Sequence, residues 1–452
     1  MTGAPRELKD KKSICLFGYG RTNAGLLNYL SPYGFSFSLR EDGHTELTDT
    51  RISRHLWGEH ALSDITEDVI LFSPSAKRER KELAEARTRG ALLTSDAEMF
   101  FGNATSPIFS VSGSDGKSTT TELAERILRI NSERVLKSGN CGAAMTPSLS
   151  YETGGVHIVE LSSFMLEYFE PRSFSCVMTS LSENHLDWHG TRESYFAAKG
   201  RLFKGALHKA VHFDTDAYEI LKDERPTTLI SQADTEGTLL ARGAIHTVTL
   251  RCGKIYLDGR RVLDTKALLI KEDYNIRNLM SAIALCAPVT EPDGILDAVK
   301  DFKGLSHRRE LVGSAYGIDF IDSSIDSSPG RCAVTLNGLS RRVTLLLGGR
   351  TKGLSVLPMI EPIAKYADAV ITFGEAKEEY ARALAESESI RTAGVKIKTY
   401  PCLDDAFFEA IKITPRGGCI LLSPAATSYD EFKNFEERGD HFKALISKIQ
   451  DK

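Results

Sequence analysis

IFSVSGSDGKSTTTELAERIL, residues 108 to 128, sets a glycine-bearing turn between an apolar strand and a well-formed helix. Backbone N–H groups from Gly113 to Lys117 can converge on phosphate oxygens, and the helix starting near Lys117 adds the positive end of its dipole. Gly113, Ser114, Asp115, Gly116, Lys117, Ser118 and Thr119 are read as a nucleotide cradle, with Lys117 on the outer phosphates and Ser118 offering a hydroxyl to magnesium. The spacing is G-x-x-G-K-S, shorter than G-x-x-x-x-G-K-[ST], because Val111 stands where the longer motif has glycine. A strand-turn-helix junction with a solvated lysine is the bland alternative, and the flanking strand and helix weigh against it.

Composition agrees with a large soluble enzyme. At 452 residues the chain has room for about two to four domains. Its 57 basic and 61 acidic side chains give a formal charge of -4, too even for a general nucleic-acid binder, so phosphate handling must be local. No apolar run is long enough to span a bilayer, and the opening stretch MTGAPRELKDKKS is polar; a cytoplasmic protein without membrane insertion is expected. The eight cysteines are far apart, with no C-x-x-C pair, and read as reduced core residues, not as a disulfide frame or zinc ribbon.

Strands alternate with helices in three blocks, which predicts an α/β protein with parallel sheets covered by helices. A Rossmann-like domain is expected over 1–103, from SICLFGYGRTNAGLLNYL, FSFSL and VILFSPS. A central ATPase sheet of P-loop type is expected over 104–305, with strands HIVEL and CVMTSL and helices SYFAAKGRLF and YNIRNLMSAIALCA. Within it, HTVTLRCGKIYLDGRRVLD carries an Asp258-Gly259 turn and predicts a small antiparallel sheet. A second Rossmann-like domain is expected over 306–452, from RVTLLLGG, AVITFG and GGCILLSP to the amphipathic FEERGDHFKALISKI.

GYGRTNAG is the rival signal, because Gly18 and Gly20 follow a strand as in a dinucleotide fingerprint. The third glycine is missing, since Asn23 stands in its place. A phosphate at this helix start stays in the reading, while nicotinamide chemistry does not lead.

GSDGKST, VELSSFMLE, ENHLDWHG, AAKGRLF, YNIRN, GLSHRRE, LLLGG and LLSPAATSYDEFKNFEERGDHF follow one another in an order and spacing that resemble the Mur ligases. The likeness runs over nearly the whole chain, and SPAATSYDEFKNFEERG is its most specific piece. It implies a monomeric, ATP-dependent ligase of peptidoglycan precursor synthesis, joining D-glutamate to UDP-N-acetylmuramoyl-L-alanine through an acyl phosphate. Such chemistry needs cations around the phosphoryl in flight, and Lys117, magnesium and Arg308 are the candidates.

By the same resemblance, Ser118 and Glu160 hold the magnesium of ATP, and His185 binds a second ion near the acceptor carboxylate. Magnesium prefers oxygen, so a structural or phosphate-contacting role for His185 stays open. Lys199 matches a lysine carbamylated by CO2, whereas an ordinary helix lysine is a solvated charge; carbamylation needs a free amine and so a depressed pKa. Asn140 matches a ligand contact beside the phosphate loop, Asn278 one facing adenine, and Asp322 one on the ribose of ATP. Arg308 matches a γ-phosphate contact that requires domain closure. Lys352, Ser428 and Phe435 match the D-glutamate site.

The departures are specific. Asp115 replaces an asparagine beside the phosphates, and DSSIDSSPG puts Ser324 and Asp326 where the family has lysine and threonine near substrate. FSFSLRED lacks the usual aspartate-threonine-arginine, leaving Arg40, Ser73 and the Gly18 to Thr22 turn for the uridine-side phosphates. A sister ligase for another amino acid, or one adding glutamates to folate, would share the ATP site but not the C-terminal motif; a dinucleotide oxidoreductase would use Gly18 and Gly20.

Overall fold

The computed structural model describes residues 4–43, 47, 49–140, 143–183, 185–351 and 353–450. Two compact units divide the chain at 302/303. The first carries two sheets and the second one.

The N-terminal sheet is wholly parallel, in the order Ile52–Trp57, Ser36–Glu41, Ser13–Phe17, Val69–Phe72, Leu92–Ser95. Strands Ser13–Phe17 and Val69–Phe72 are apolar and almost wholly buried, as expected of strands covered on both faces. The strand order reverses between these two, so the turn at Gly18 and the residue Ser73 share the carboxyl edge where open α/β sheets bind ligands.

Nine strands form the second sheet, with fully buried Ile108–Ser112 set between Val156–Glu160 and Ser175–Met178. Seven of them run parallel up to His246–Arg251, and two antiparallel strands, Lys254–Leu257 and Arg260–Asp264, follow. The expected antiparallel segment is attached to the parallel sheet and continues it. Left-handed pairs Cys252-Gly253 and Asp258-Gly259 make its two tight turns, at φ values of 48, 72, 49 and 74°.

The C-terminal sheet has the order Glu310–Ala315, Ile318–Asp322, Cys419–Ala425, Val343–Gly348, Ala367–Phe373, Lys396–Thr399. All neighbours are parallel except the first pair, a hairpin through left-handed Tyr316 and Gly317 that the sequence reading did not single out. Helix Phe435–Gln450 packs Phe442, Leu445 and Ile446 into the core beside Phe320 and Phe407.

Of the described cysteines, Cys15, Cys176, Cys286, Cys332 and Cys419 are buried and free. Cys252 is exposed on a turn and Cys402 half-buried, which corrects the uniform core assignment; Cys141 lies outside the described residues. Among the described residues no helix is long and apolar enough to cross a membrane.

Arg40 requires a larger correction. Its side chain is fully buried, and its guanidinium forks onto Glu67, with Nε to Oε1 and Nη2 to Oε2 both at 3.1 Å. Nη1 donates to the carbonyls of Ala61 and Ser63, and Nη2 also to that of Asp64. The guanidinium is spent on the fold, so Arg40 leaves the substrate set. Burial pushes the Glu67 carboxyl pKa up, but the Ser38 hydroxyl and Arg40 outweigh it and the net shift is downward. Removing one partner of such a pair leaves a buried charge, so Glu67→Ala is expected to lose about 3 to 5 kcal/mol in urea unfolding. Since the folded pKa is depressed, the wild-type advantage over Glu67→Gln is present above the unfolded value of 4.5 and fades as pH falls through the folded one.

Candidate active site

The phosphate turn is held from beneath by the segment that follows strand Ser175–Met178. Ser114 N donates to Ser180 O at 3.0 Å, and Asp115 N donates to Ser180 Oγ at 2.8 Å. Thr179 Oγ1 donates to Asp115 O, and Ser114 Oγ lies 2.9 Å from both Tyr195 Oη and Ser182 O. The fold thus uses the backbone of Asp115, whose side chain is exposed, so aspartate there leaves the cradle intact. Two glycines are obligatory. At Gly113, φ 155°, a Cβ would strike Thr179 Oγ1, and at Gly116, φ 79°, it would strike Asn278 Oδ1. Helix Lys117–Leu128 begins directly after Gly116, with Ser118 half-buried and Thr119 buried in its first turn.

Both candidate lysines reach this turn. Lys117 Nζ donates to Gly113 O at 2.7 Å and to Ser114 O at 2.9 Å. Lys199, from helix Arg192–Gly200, is 2 % exposed and donates to the same Gly113 O at 2.7 Å and to Ser112 Oγ at 3.1 Å. Burial, with the Lys117 charge added, drives the Lys199 pKa well below its ordinary value against the opposing pull of Glu160 and Asp115. The shift is towards the free amine, which is the form that reacts with CO2.

Glu160 ends strand Val156–Glu160 and is 1 % exposed. Asn140 Nδ2 donates to its Oε1 at 2.6 Å, and Asn140 N donates to its main-chain carbonyl at 2.9 Å. Glu160 Oε2 is buried without a hydrogen-bond partner. A buried carboxylate oxygen left open next to a phosphate turn fits a hard divalent cation. His185 is exposed, left-handed at φ 54°, and 4.8 Å from the Phe164 ring centroid.

In the N-terminal sheet, Gly18 has φ 83°, and a Cβ there would come within 2.6 Å of Ser73 Oγ. Helix Arg21–Leu30 starts after Gly20 with no side-chain cap, and Thr22 is half-buried in its first turn. Asn23 explains the absent third glycine: fully buried, it donates to Gly18 O at 2.8 Å and Leu71 O at 3.2 Å, tying the turn to the neighbouring strand.

In the C-terminal unit, Ser324 Oγ donates to Phe435 O at 2.8 Å, and the Phe435 ring lies 6.3 Å from that of His307. Ser428 is buried and Arg308 half-buried; Lys352 lies outside the described residues. Asp322 is fully buried, with Oδ2 2.7 Å from His307 Nδ1 and Oδ1 accepting from Ser324 N at 2.8 Å. Each oxygen thus already holds one partner within the protein. His307, Glu310 and Asp322 also cluster, but Lys443 neutralises Glu310 at 2.8 Å and the His307–Asp322 bond fills the centre. Sequence reading passed over Ser112, Thr179, Ser180 and Tyr195, whose role is to hold the turn and carries no local signature.

Residues 111–286 match the model of the Mur ligase middle domain. The chain is 31 % identical to the UDP-N-acetylmuramoylalanine–D-glutamate ligase of Ruminiclostridium cellulolyticum, covering 98 % of each chain. It is 29 % identical to the ligase of the same name from Clostridium acetobutylicum, again over 98 % of each. Among solved structures, the UDP-N-acetylmuramate-alanine ligase of Thermotoga maritima superposes with a TM-score of 0.59 at 15 % identity, covering 98 % of this chain and 99 % of that one. A pseudomurein peptide ligase from Methanothermus fervidus gives 0.53 at 16 % identity, covering 97 % and 100 %. These structural likenesses concern the fold.

Gly116→Ala tests the cradle. Left-handed strain of about 1 to 2 kcal/mol, added to the collision with Asn278, is expected to weaken binding of a fluorescent ATP analogue by about tenfold or more; unchanged affinity would remove the turn from the nucleotide site.

Proposed function

The chain belongs to the Mur ligase family of ATP-dependent ligases, and from that premise we propose that it joins D-glutamate to UDP-N-acetylmuramoyl-L-alanine. The observation that carries the reading is Glu160, buried with one oxygen open, together with the paired lysines of the phosphate turn. The choice of amino acid is supported by full-length relatives named for D-glutamate. The proposed organisation is a UDP-substrate domain over 1–103, an ATP-binding domain over 104–305 and an amino-acid domain over 306–452, acting as a cytoplasmic monomer.

A carboxylate is a poor electrophile, so the terminal carboxylate of the L-alanyl substrate first attacks the γ-phosphorus, and the bond to the bridging oxygen of ADP breaks. The amine of D-glutamate then attacks the acyl carbon, phosphate leaves, and the nitrogen gives up a proton. Lys117 and the N–H groups from Gly116 to Ser118 bind and orient the phosphates and offset their growing charge, while those of Ser114 and Asp115 hold the turn on Ser180. Magnesium, for which Ser118 and Glu160 would supply one site and His185 with a carbamylated Lys199 a second, would supply further charge neutralisation. Asn140 fixes the rotamer of Glu160. Gly18, Thr22 and Ser73 are assigned to the diphosphate of the UDP substrate, where a glycine turn precedes an uncapped helix N-terminus. Asn278, packed on Gly116, holds the cradle's shape beside the adenine position assigned to it. Arg308 is assigned to the γ-phosphate, and Lys352, Ser428 and Phe435 to D-glutamate.

Phosphate release from ATP, with magnesium and UDP-N-acetylmuramoyl-L-alanine, is expected with D-glutamate and not with L-glutamate, L-lysine or meso-diaminopimelate. Release with another amino acid would move the chain to a sister specificity. Lys199→Ala is expected to lose activity by about a hundredfold or more, with partial recovery in short-chain carboxylate buffers that replace the missing carbamate. An unaffected variant would mean that no carbamate is needed.

A further inference from the structure

The C-terminal unit holds a buried cation that the ligation chemistry above does not use. Arg438, in helix Phe435–Gln450, is fully buried. Its Nε donates to Ser324 Oγ at 3.0 Å, and its Nη2 donates to Ser324 O at 2.9 Å and Ala426 O at 3.1 Å. Nη1 is buried and makes no hydrogen bond. It lies against Gly349, φ 124°, where a Cβ would come within 2.2 Å of Thr427 O and 2.9 Å of Nη1. One guanidinium therefore spans the segments that follow strands Ile318–Asp322, Cys419–Ala425 and Val343–Gly348, all on the carboxyl edge of the sheet.

Burial lowers the Arg438 pKa to about 10 despite the opposing carboxylates of Asp430, Asp322 and Asp326, so the group stays charged at neutral pH. A buried cation with an unpaired N–H is a poor device for stability alone, since an apolar side chain of similar volume serves the core as well or better. The turn it grips is strained. Ala425 has φ 58°, a left-handed conformation that a side chain resists, and its carbonyl accepts from Tyr380 Oη at 2.9 Å. Thr427 and Arg350 then exchange backbone hydrogen bonds at 2.9 and 2.8 Å, and Ser428 comes next. Strain held by hydrogen bonds from three other segments fixes where residues 426–428 stand.

We propose that Arg438 is the positioning residue for the acceptor amino acid, setting the backbone of residues 426–428 against Ser324 and so the point at which Ser428 meets the incoming carboxylate. The assignment rests on the reading of Ser428 as an acceptor contact. Arg438 touches no reacting atom; it determines where the group that binds D-glutamate is held, and its loss spoils binding of that one substrate.

The test is steady-state kinetics on the full-length enzyme with each substrate varied in turn, for Arg438→Lys, Arg438→Met, Ala425→Gly and Ser428→Ala. Lysine has no counterpart to Nε and so loses the bond to Ser324 Oγ while keeping the charge. Both Arg438 variants are expected to raise the KM for D-glutamate by about tenfold or more, with the KM values for ATP and the UDP substrate within about twofold of wild type. Ala425→Gly relieves the left-handed strain, so its thermal midpoint should hold or rise while the same KM increases. A fall in kcat with all KM values unmoved would mark Arg438 as structural and overturn the proposal. Should Arg438→Met fail to fold, Ala425→Gly with an unaltered D-glutamate KM overturns it equally. A shift in Ser428→Ala without one in the Arg438 variants sinks the positioning role alone, whereas no shift in Ser428→Ala removes the acceptor reading and this proposal with it.

Discussion

The carbonyl oxygen of Gly113 accepts from two ammonium groups, those of Lys117 and Lys199, and that shared acceptor is where the charge problem of the site is concentrated. Two cations cannot sit on one carbonyl at low dielectric without penalty, and burial together with the Lys117 charge lowers the Lys199 pKa well below its ordinary value. Lys117, at the start of its helix and only half-buried, is the one proposed for phosphate. Much else serves this pair: Thr179, Ser180 and Tyr195 fix the turn, Gly113 admits their close approach, and Ser112 takes the second bond of Lys199.

Local pattern made much of the molecule legible. Apolar runs such as RVTLLLGG and HIVEL, closed by glycine or a carboxylate at the strand end, mark buried parallel strands and the edge where chemistry sits. GSDGKST before a helix identifies the cradle because phosphate binding by backbone N–H groups imposes glycines at fixed places. The relation of Lys199 to that cradle came only through resemblance, since a helix lysine eighty residues away in sequence has no local mark of burial.

What escaped the sequence is long-range pairing. Arg40 looks like a ligand arginine at a strand end, and only the folded chain brings Glu67 and three loop carbonyls around it. Asp322 likewise has the position of a ligand carboxylate, and only the folded chain brings His307 and the Ser324 amide onto its two oxygens. In each case one charged side chain serves either a ligand or the core, and spacing does not reveal which. At Asp115, the departure from asparagine beside the phosphates, the fold uses the backbone and leaves the side chain exposed.

Asn23 gives the N-terminal turn a different kind of memory. Its amide bonds reach two strand ends and the turn itself, so the residue that fails the dinucleotide fingerprint also laces the sheet together. A glycine at that position would satisfy the motif and lose these bonds between the turn and the neighbouring strand. Any route by which this domain came to take up a dinucleotide would therefore have to pass through a weakened intermediate, and the ligand preference of the turn is guarded by the cohesion of the sheet beneath it.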